Sequence, residues 1–207
     1  MKDGGRRAFL AVLLVGLGLL VFLYGRHSVD AQMVFERNYP RVNESLYATV
    51  DADHVFTIDG SGELHREDMT AMLRGAELHH DELEDVVIGD GVTEICFGVF
   101  DGYDALRSLK IGDNVTRIAA GAVKNCPAME YLYLPECLRD VGLDFLYECK
   151  SCLVVTPGSA SGLPAFANVR QKKRILEHVD SLEALSAAVG EKALPAGVQR
   201  WWTDTRS

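Results

Sequence analysis

The stretch from Leu83 to Pro157 repeats its pattern of apolar residues every 23 positions, and this period constrains the fold more than any other feature of the chain. Six positions of the repeat are apolar in all three consecutive copies. The six columns are Leu83, Leu106, Met129; Val86, Leu109, Leu132; Ile88, Ile111, Leu134; Val92, Val115, Leu138; Ile95, Ile118, Val141; and Phe100, Val123, Leu146. At a hydrophobic content of 48%, this agreement arises by chance on the order of once in a million.

Each copy begins with a short segment of the form L-x-x-L-x-L, as in Leu83–Ile88, Leu106–Ile111 and Met129–Leu134. A period of about 20 to 29 residues with this core is typical of leucine-rich solenoids. A short strand cannot bury its apolar side alone, whereas stacked copies bury it against one another. The sequence therefore predicts a mixed α+β fold, a short leucine-rich-repeat β-solenoid of about 3.5 repeats, over residues 83–168.

The second half of each copy adds a more specific pattern. The first copy carries a V-T-x-I segment at Val92–Ile95. The third copy ends in the segment Val141–Cys149. These motifs resemble the BspA-like leucine-rich repeat, in which I-G-x-x-A-F-x-x-C follows a strand containing V-T. The departures are Cys96 and Ala119 at the usual glycine and Tyr103 at the usual cysteine. The resemblance implies a non-enzymatic cell-surface or secreted module that recognises protein or matrix ligands.

The segment before the repeats is predicted to close the open end of the solenoid. Val55–Leu64 is predicted to form two strands joined by a turn at Asp59–Gly62, which together indicate a hairpin. Glu67–Leu78 has the apolar spacing of a helix. We therefore expect an N-terminal cap of a hairpin and a helix over residues 46–82, because an open solenoid end exposes strand edges.

An apolar run near the start of the chain predicts export. Residues 8–25 carry no charge and follow a pair of arginines, which favours a cytoplasmic N-terminus. We predict a signal anchor with a transmembrane helix over residues 1–28, then a linker over residues 29–45, with the body extracellular at the cell membrane. The alternative is a signal peptide that is cleaved near Ala31, so that the body is secreted.

After the repeats, residues 169–207 are predicted to form a helix and a tail. Gln171–Val189 has helical apolar spacing and is followed by a glycine. We expect this helix to cap the final rung, whose strand begins at Cys152–Val155 and carries no charge there. The sequence leaves two roles open for the basic cluster Arg170–Arg174, a solvated helix end or an interaction site. It also leaves two roles open for Trp201–Trp202, which either pack against the body or form an interaction site.

Composition excludes some classes of function. The net charge of −9 argues against nucleic-acid binding, because contacts to phosphate need a basic surface. Two of the five cysteines, Cys126 and Cys149, share one repeat position, which predicts packed thiols on adjacent rungs. Cys149 and Cys152 form a C-x-x-C, but no second pair completes a zinc site. We predict neither a cofactor nor a metal.

The sequence holds no recognisable catalytic constellation. The densest cluster of ligand-type residues is His79, His80 and Asp81. Adjacent histidines point to opposite faces of a strand and diverge by about 100° on a helix, so they rarely hold one ion. A metal-dependent enzyme that uses these residues is therefore the weakest of three hypotheses for function.

The outward side of the repeated strands holds the candidate binding residues Arg107, Lys110, Tyr131 and Tyr133. Tyrosines are effective anchors in protein interfaces. The alternative is that both tyrosines pack under the C-terminal helix. An exposed face would favour the leading hypothesis, a recognition module for a protein or surface ligand. A buried face would favour a structural spacer or scaffold subunit at the membrane.

Overall fold

The computed structural model describes residues 43–159, 174–190 and 193–202, which belong to the compact unit Val42–Ser207. The predicted membrane anchor, most of the linker and residues 170–173 of the basic cluster lie outside these ranges. Within them, no helix has the length and apolarity needed to cross a membrane. The described strands are β1 Leu46–Val50, β2 Val55–Gly60, β3 Gly62–Leu64, β4 Asp85–Ile88, β5 Val92–Ile95, β6 Ser108–Lys110, β7 Arg117–Ile118, β8 Tyr131–Tyr133, β9 Asp140–Val141, β10 Leu153–Val155 and β11 Arg174–Leu176. The described helices are α1 Arg66–Gly75, α2 Leu182–Val189 and α3 Ala196–Arg200.

The strands form two sheets that follow the sequence repeat. The larger sheet has the order β1-β2-β4-β6-β8-β10-β11, and the smaller has the order β3-β5-β7-β9. Apart from the antiparallel pair β1–β2, every pairing is parallel. Val86 pairs with Leu109, and Leu109 with Leu132, so one step across the sheet equals one 23-residue repeat. The predicted register is confirmed.

The apolar columns build one core. All eighteen column residues are at most 8% exposed and belong to a single buried cluster. The reason is the alternation of side chains along a strand. In β4, for example, Val86 points into this core while its neighbours Asp85 and Val87 point to the other side of the larger sheet. The opposite side of that sheet is therefore a separate surface.

The predicted hairpin at Val55–Leu64 is wrong. β2 pairs with β1 and β4 in the larger sheet, whereas β3 pairs with β5 in the smaller one. The chain thus turns from one sheet into the other at Gly60, whose φ is +110°, and this segment forms a first rung. A strand–turn–strand pattern does not by itself distinguish a reversal of the chain from a corner. The real hairpin is β1–β2, where the Asp51 carboxylate accepts the backbone N–H of Val55 at 3.0 Å.

The helix predicted to follow this segment is confirmed but is shorter than predicted, Arg66–Gly75 rather than Glu67–Leu78. Its start is fixed by Asp68, whose carboxylate accepts the backbone N–H of His65 at 2.7 Å. Its end lies just before Glu77, which takes a φ of +56°.

The predicted C-terminal helix over Gln171–Val189 is wrong in its first half. Arg174–Leu176 forms β11, which pairs in parallel with β10, and only Leu182–Val189 is helical. The physical reason is that β10 would otherwise be an edge strand with unpaired backbone groups, which another strand satisfies and a helix does not. The helix begins where the Ser181 side chain accepts the N–H of Ala184 at 3.2 Å.

Candidate interaction face

The outer face of the larger sheet begins with the charged ladder that the repeat predicts. Arg107 lies between two carboxylates, 3.6 Å from Glu84 and 3.7 Å from Glu130. Its side chain is 39% exposed, so of the four candidate binding residues it is the one that solvent reaches. Exposed ion pairs of this kind contribute about 0–1 kcal/mol each. The ladder stabilises the stacking modestly and leaves Arg107 accessible.

The other three candidates are buried, which for the two tyrosines is the alternative that the sequence left open. Lys110, Tyr131 and Tyr133 are 4%, 3% and 5% exposed. They are covered by the C-terminal cover, which we define as residues 179–190 and 193–202. Apolar residues of this cover and of the sheet form a second buried cluster. Its fully buried members are Val55, Val87, Tyr131, Tyr133, Val155, Val179, Leu185, Val198 and Trp201.

Tyr133 is the centre of this second cluster. Its ring lies 5.8 Å from the ring of Trp201 and 6.3 Å from that of Trp202, and the Lys110 ammonium lies 5.7 Å from its centroid. The hydroxyl donates to the Asp113 carboxylate at 3.1 Å. Burial raises the pKa of Tyr133 well above its usual range, and the Asp113 carboxylate raises it further. The hydroxyl therefore stays protonated and acts as a donor.

Helix α3 approaches the sheet through a glycine. Below it, Ser108 and Asp85 are buried and hydrogen-bonded to each other across β4 and β6. A Cβ atom at Gly197 would lie 2.5 Å from the Asp85 Cβ and 2.6 Å from the Ser108 Oγ. At the end of the helix, Arg200 lies 3.0 Å from the carboxylates of both Asp51 and Asp53 in the β1–β2 turn. These ion pairs thus link the C-terminal cover to the turn of the first hairpin.

The larger exposed apolar side chains of the described residues lie elsewhere. Phe97 and Leu143 are 65% and 69% exposed and occupy the same repeat position, with Ala120 between them. Tyr147, four residues after Leu143, is 54% exposed. The Lys124 ammonium lies 5.3 Å from the ring centroid of Phe97. We call this set, Phe97, Ala120, Leu143 and Tyr147, the turn-side ridge. Tyr47 and Val50 on β1 are exposed as well.

The residues of the enzyme hypothesis do not converge. His79 and His80 line a groove of about 590 Å³ together with Arg66 and Arg74, but Asp81 does not line it. His80 instead packs edge-on against the ring of Tyr103, with centroids 5.6 Å apart. His79, His80 and Asp81 therefore do not line one common groove.

A different group of ligand-type side chains does come together. Glu63, His65 and Cys96 place one ligand atom each within 4.8 Å of the others, and they are the one such group among the described residues. Sequence reasoning missed it because His65 and Cys96 lie 31 positions apart. The sequence signal that could have revealed this group is Cys96, which stands at a repeat position where glycine is usual.

Cys126 and Cys149 are packed on adjacent rungs, as the sequence predicts. The Cys126 thiol donates to the Phe100 carbonyl at 3.1 Å, and the Cys149 thiol donates to the Val123 carbonyl at 3.6 Å, one rung further on. All five cysteines lie in the described residues, and none forms a disulfide. Cys126 and Cys149 are therefore packed thiols of the repeat.

Parallel strands in 23-residue register, with the apolar columns buried between them, define a leucine-rich repeat protein. The BspA-type leucine-rich repeat region matches residues 77–174, in six copies. The chain therefore carries a BspA-type leucine-rich repeat region, and the family resemblance found in the sequence is confirmed. Repeats of this kind are typical of protein interaction or surface recognition.

Two solved structures are similar to part of the chain. A leucine-rich repeat protein from Eubacterium ventriosum is 16% identical over 55% of this chain and 36% of its own length, with a TM-score of 0.40. A leucine rich cell surface protein from Faecalibacterium prausnitzii is 20% identical over 56% of this chain and 42% of its own length, with a TM-score of 0.29. The chain spans less than half the length of either protein. No curated protein matches the chain.

Proposed function

We propose that the chain is a non-enzymatic extracellular recognition module that binds a protein or surface ligand through its turn-side ridge. The observation that carries this proposal is the contrast between the two surfaces. The strand face is covered by the chain's own C-terminal cover, whereas Phe97, Leu143 and Tyr147 are each more than half exposed. Large apolar side chains that stay exposed at matching positions of a repeat are typical of a protein interface.

The chemistry of the ridge favours a protein partner. Aromatic and aliphatic side chains dominate it, and Lys124 adds one cation, which is paired with Asp101 at 3.2 Å. The net charge of −9 does not suit a nucleic acid. An interface centre is commonly apolar and aromatic with charges at the rim.

The location belongs to the same proposal. Residues 8–25 are uncharged and long enough to span a bilayer, which supports a single-pass anchor with the repeats outside the cell. Secretion after cleavage near Ala31 would export the same module. One of the two similar solved structures is described as a cell surface protein, in agreement with either route.

The proposal is tested by affinity capture with the purified full chain in detergent. We expect the double variant Phe97→Ser with Leu143→Ser to lose a partner that the unmodified chain retains. Val50→Ser is the matched control, since Val50 is an exposed apolar residue on β1, outside the ridge. Substitutions at exposed positions such as these usually change stability by no more than about 0.5 kcal/mol. Equal capture by all three proteins, or capture of nothing by any, would contradict the proposal.

A second candidate is a structural spacer or scaffold subunit at the membrane. The observation that favours it is the burial of Tyr131 and Tyr133, which is the outcome expected for a spacer. In this case the C-terminal cover, with its partly exposed Trp202, would hold the complex together. Native electrophoresis of membrane extracts separates the two functions. A spacer complex should persist in the ridge variant and dissociate when Trp202→Ala is introduced.

A further inference from the structure

The group Glu63, His65 and Cys96 lies where two adjacent rungs meet at the end of the smaller sheet. Glu63 is in register with Glu94, and Leu64 with Ile95, so that His65 and Cys96 follow as the next neighbours. The backbone N–H of Cys96 continues the ladder by donating to the Leu64 carbonyl at 2.9 Å. Residues two apart on a strand share a face. Glu63 and His65 therefore point the same way, while Leu64 between them enters the core.

The distances among the three side chains are close to those of a metal site. The His65 Nε2 lies 3.5 Å from the Glu63 Oε2 and 3.9 Å from the Cys96 Sγ. Tetrahedral zinc binds sulfur at about 2.3 Å and nitrogen or oxygen at about 2.0 Å, which places the ligand atoms about 3.3–3.6 Å apart. These two distances are within a few tenths of an ångström of those values, and the Glu63 and Cys96 ligand atoms lie within 4.8 Å of each other.

We propose that Glu63, His65 and Cys96 form a zinc-binding site in the first rungs of the repeat, with water in the fourth position. A thiolate and an imidazole select zinc over calcium or magnesium, which prefer oxygen ligands. Three protein ligands with one open position also match a partly exposed site. Cys96 and His65 are each half-buried, so a cation can reach them from solvent.

The electrostatics of the site suit a cation. Burial, and after it the carboxylates of Glu94 and Glu63, raise the pKa of Cys96 to about 12. The thiol is therefore protonated in the absence of a metal. When zinc binds, the S–H bond breaks, the sulfur keeps the electron pair as a thiolate ligand, and the proton passes to the buffer. The bound ion would then sit among carboxylates, of which Glu94 is already paired with Arg117.

Binding has an identifiable cost at the start of α1. The His65 ring faces the backbone N–H of Asp68 in the capping box. A neutral imidazole with a metal on Nε2 carries its proton on Nδ1, so this side of the ring changes from acceptor to donor. The second half of the cap is unaffected, because the Asp68 carboxylate still accepts from the His65 backbone N–H.

The repeat supplies a test variant that should fold. Ala119 and Gly142 occupy the position of Cys96 in the following rungs, so the fold tolerates small side chains there. Cys96→Ala removes the thiolate and keeps the packing. His65→Asn removes the imidazole and leaves a residue that is favoured at a helix N-cap. Cys137→Ala is the matched control, since Cys137 is also a half-buried thiol but donates to the carbonyl of Val115 at 3.0 Å, away from the cluster.

The experiment uses the purified full chain after removal of metals with a chelator. Zinc is titrated in competition with a chromogenic chelator, and cobalt is added to a second sample. We expect one zinc per chain, an affinity reduced about a hundredfold or more in Cys96→Ala and His65→Asn, and no change in Cys137→Ala. We also expect a thiolate-to-cobalt charge-transfer band that Cys96→Ala abolishes. Melting curves in chelator check that the variants fold, and if Cys96→Ala does not, His65→Asn decides.

Absence of stoichiometric zinc binding to the unmodified chain would overturn the site. The same holds if both ligand variants bind zinc as tightly as the control, because the ion would then lie elsewhere on the molecule.

Discussion

Gly197→Ala isolates the contact on which the C-terminal cover depends. The added Cβ would meet the Asp85 Cβ at 2.5 Å and the Ser108 Oγ at 2.6 Å. Ordinary contacts between heavy atoms lie at about 3.5–4.0 Å, so α3 must move outward by about 1 Å. The buried pair below cannot yield easily, because Asp85 and Ser108 are hydrogen-bonded to each other.

The expected cost follows from two opposing effects. Overpacking of this kind typically costs about 1–3 kcal/mol. Alanine in place of glycine in a helix recovers up to about 1 kcal/mol. We expect a net loss of about 1–2 kcal/mol in the free energy of unfolding, which corresponds to a melting temperature lower by roughly 2–8 °C for a domain of this size.

The assay is tryptophan fluorescence during thermal and urea unfolding. The chain has two tryptophans, Trp201 and Trp202, so its tryptophan emission reports on the cover alone. Trp201 is buried against Tyr133, and displacement of α3 should shift the emission to longer wavelength. Gly75→Ala, at the exposed end of α1 with no atom within 4 Å of the added Cβ, is the matched control and should be neutral or slightly stabilising. The reasoning is refuted if Gly197→Ala has the same melting temperature as the unmodified chain and its emission wavelength does not shift.

Three further predictions concern the core, the cover and the leader. Leu109→Asp places an unpaired charge in the fully buried core and should cost about 4 kcal/mol or more in urea unfolding; an unchanged midpoint would contradict the register. The buried Trp201 Nε1 has no hydrogen-bond partner among the described residues. In urea unfolding, Trp201→Phe should therefore change the free energy of unfolding by no more than about 1 kcal/mol, whereas Trp201→Ala should lower it by about 3–5 kcal/mol. Equal losses in the two variants would contradict this prediction. N-terminal sequencing should find Met1 or Lys2 if the anchor is retained, whereas Gln32 would establish cleavage.

The sequence alone determined the repeat architecture. The period, the inward columns and the ladder of Glu84, Arg107 and Glu130 were all predicted correctly, because each depends on neighbours exactly one repeat away. A pattern that recurs every 23 residues states both the spacing of the strands and which side chains face the core. The family resemblance rests on the same local information.

Tertiary structure decided what covers the repeat and what meets at its edges. Arg200 reaches Asp53 from 147 positions away, and Trp201 covers Tyr133, yet no periodicity relates these residues. The corner at Gly60 follows the same principle, since whether two short strands reverse or enter different sheets depends on which partners are available. Contacts between distant segments that share no repeat are set by the packing of the whole chain. That is why the sequence located the rungs correctly and left the buried tyrosines and the cluster of Glu63, His65 and Cys96 to be found in the fold.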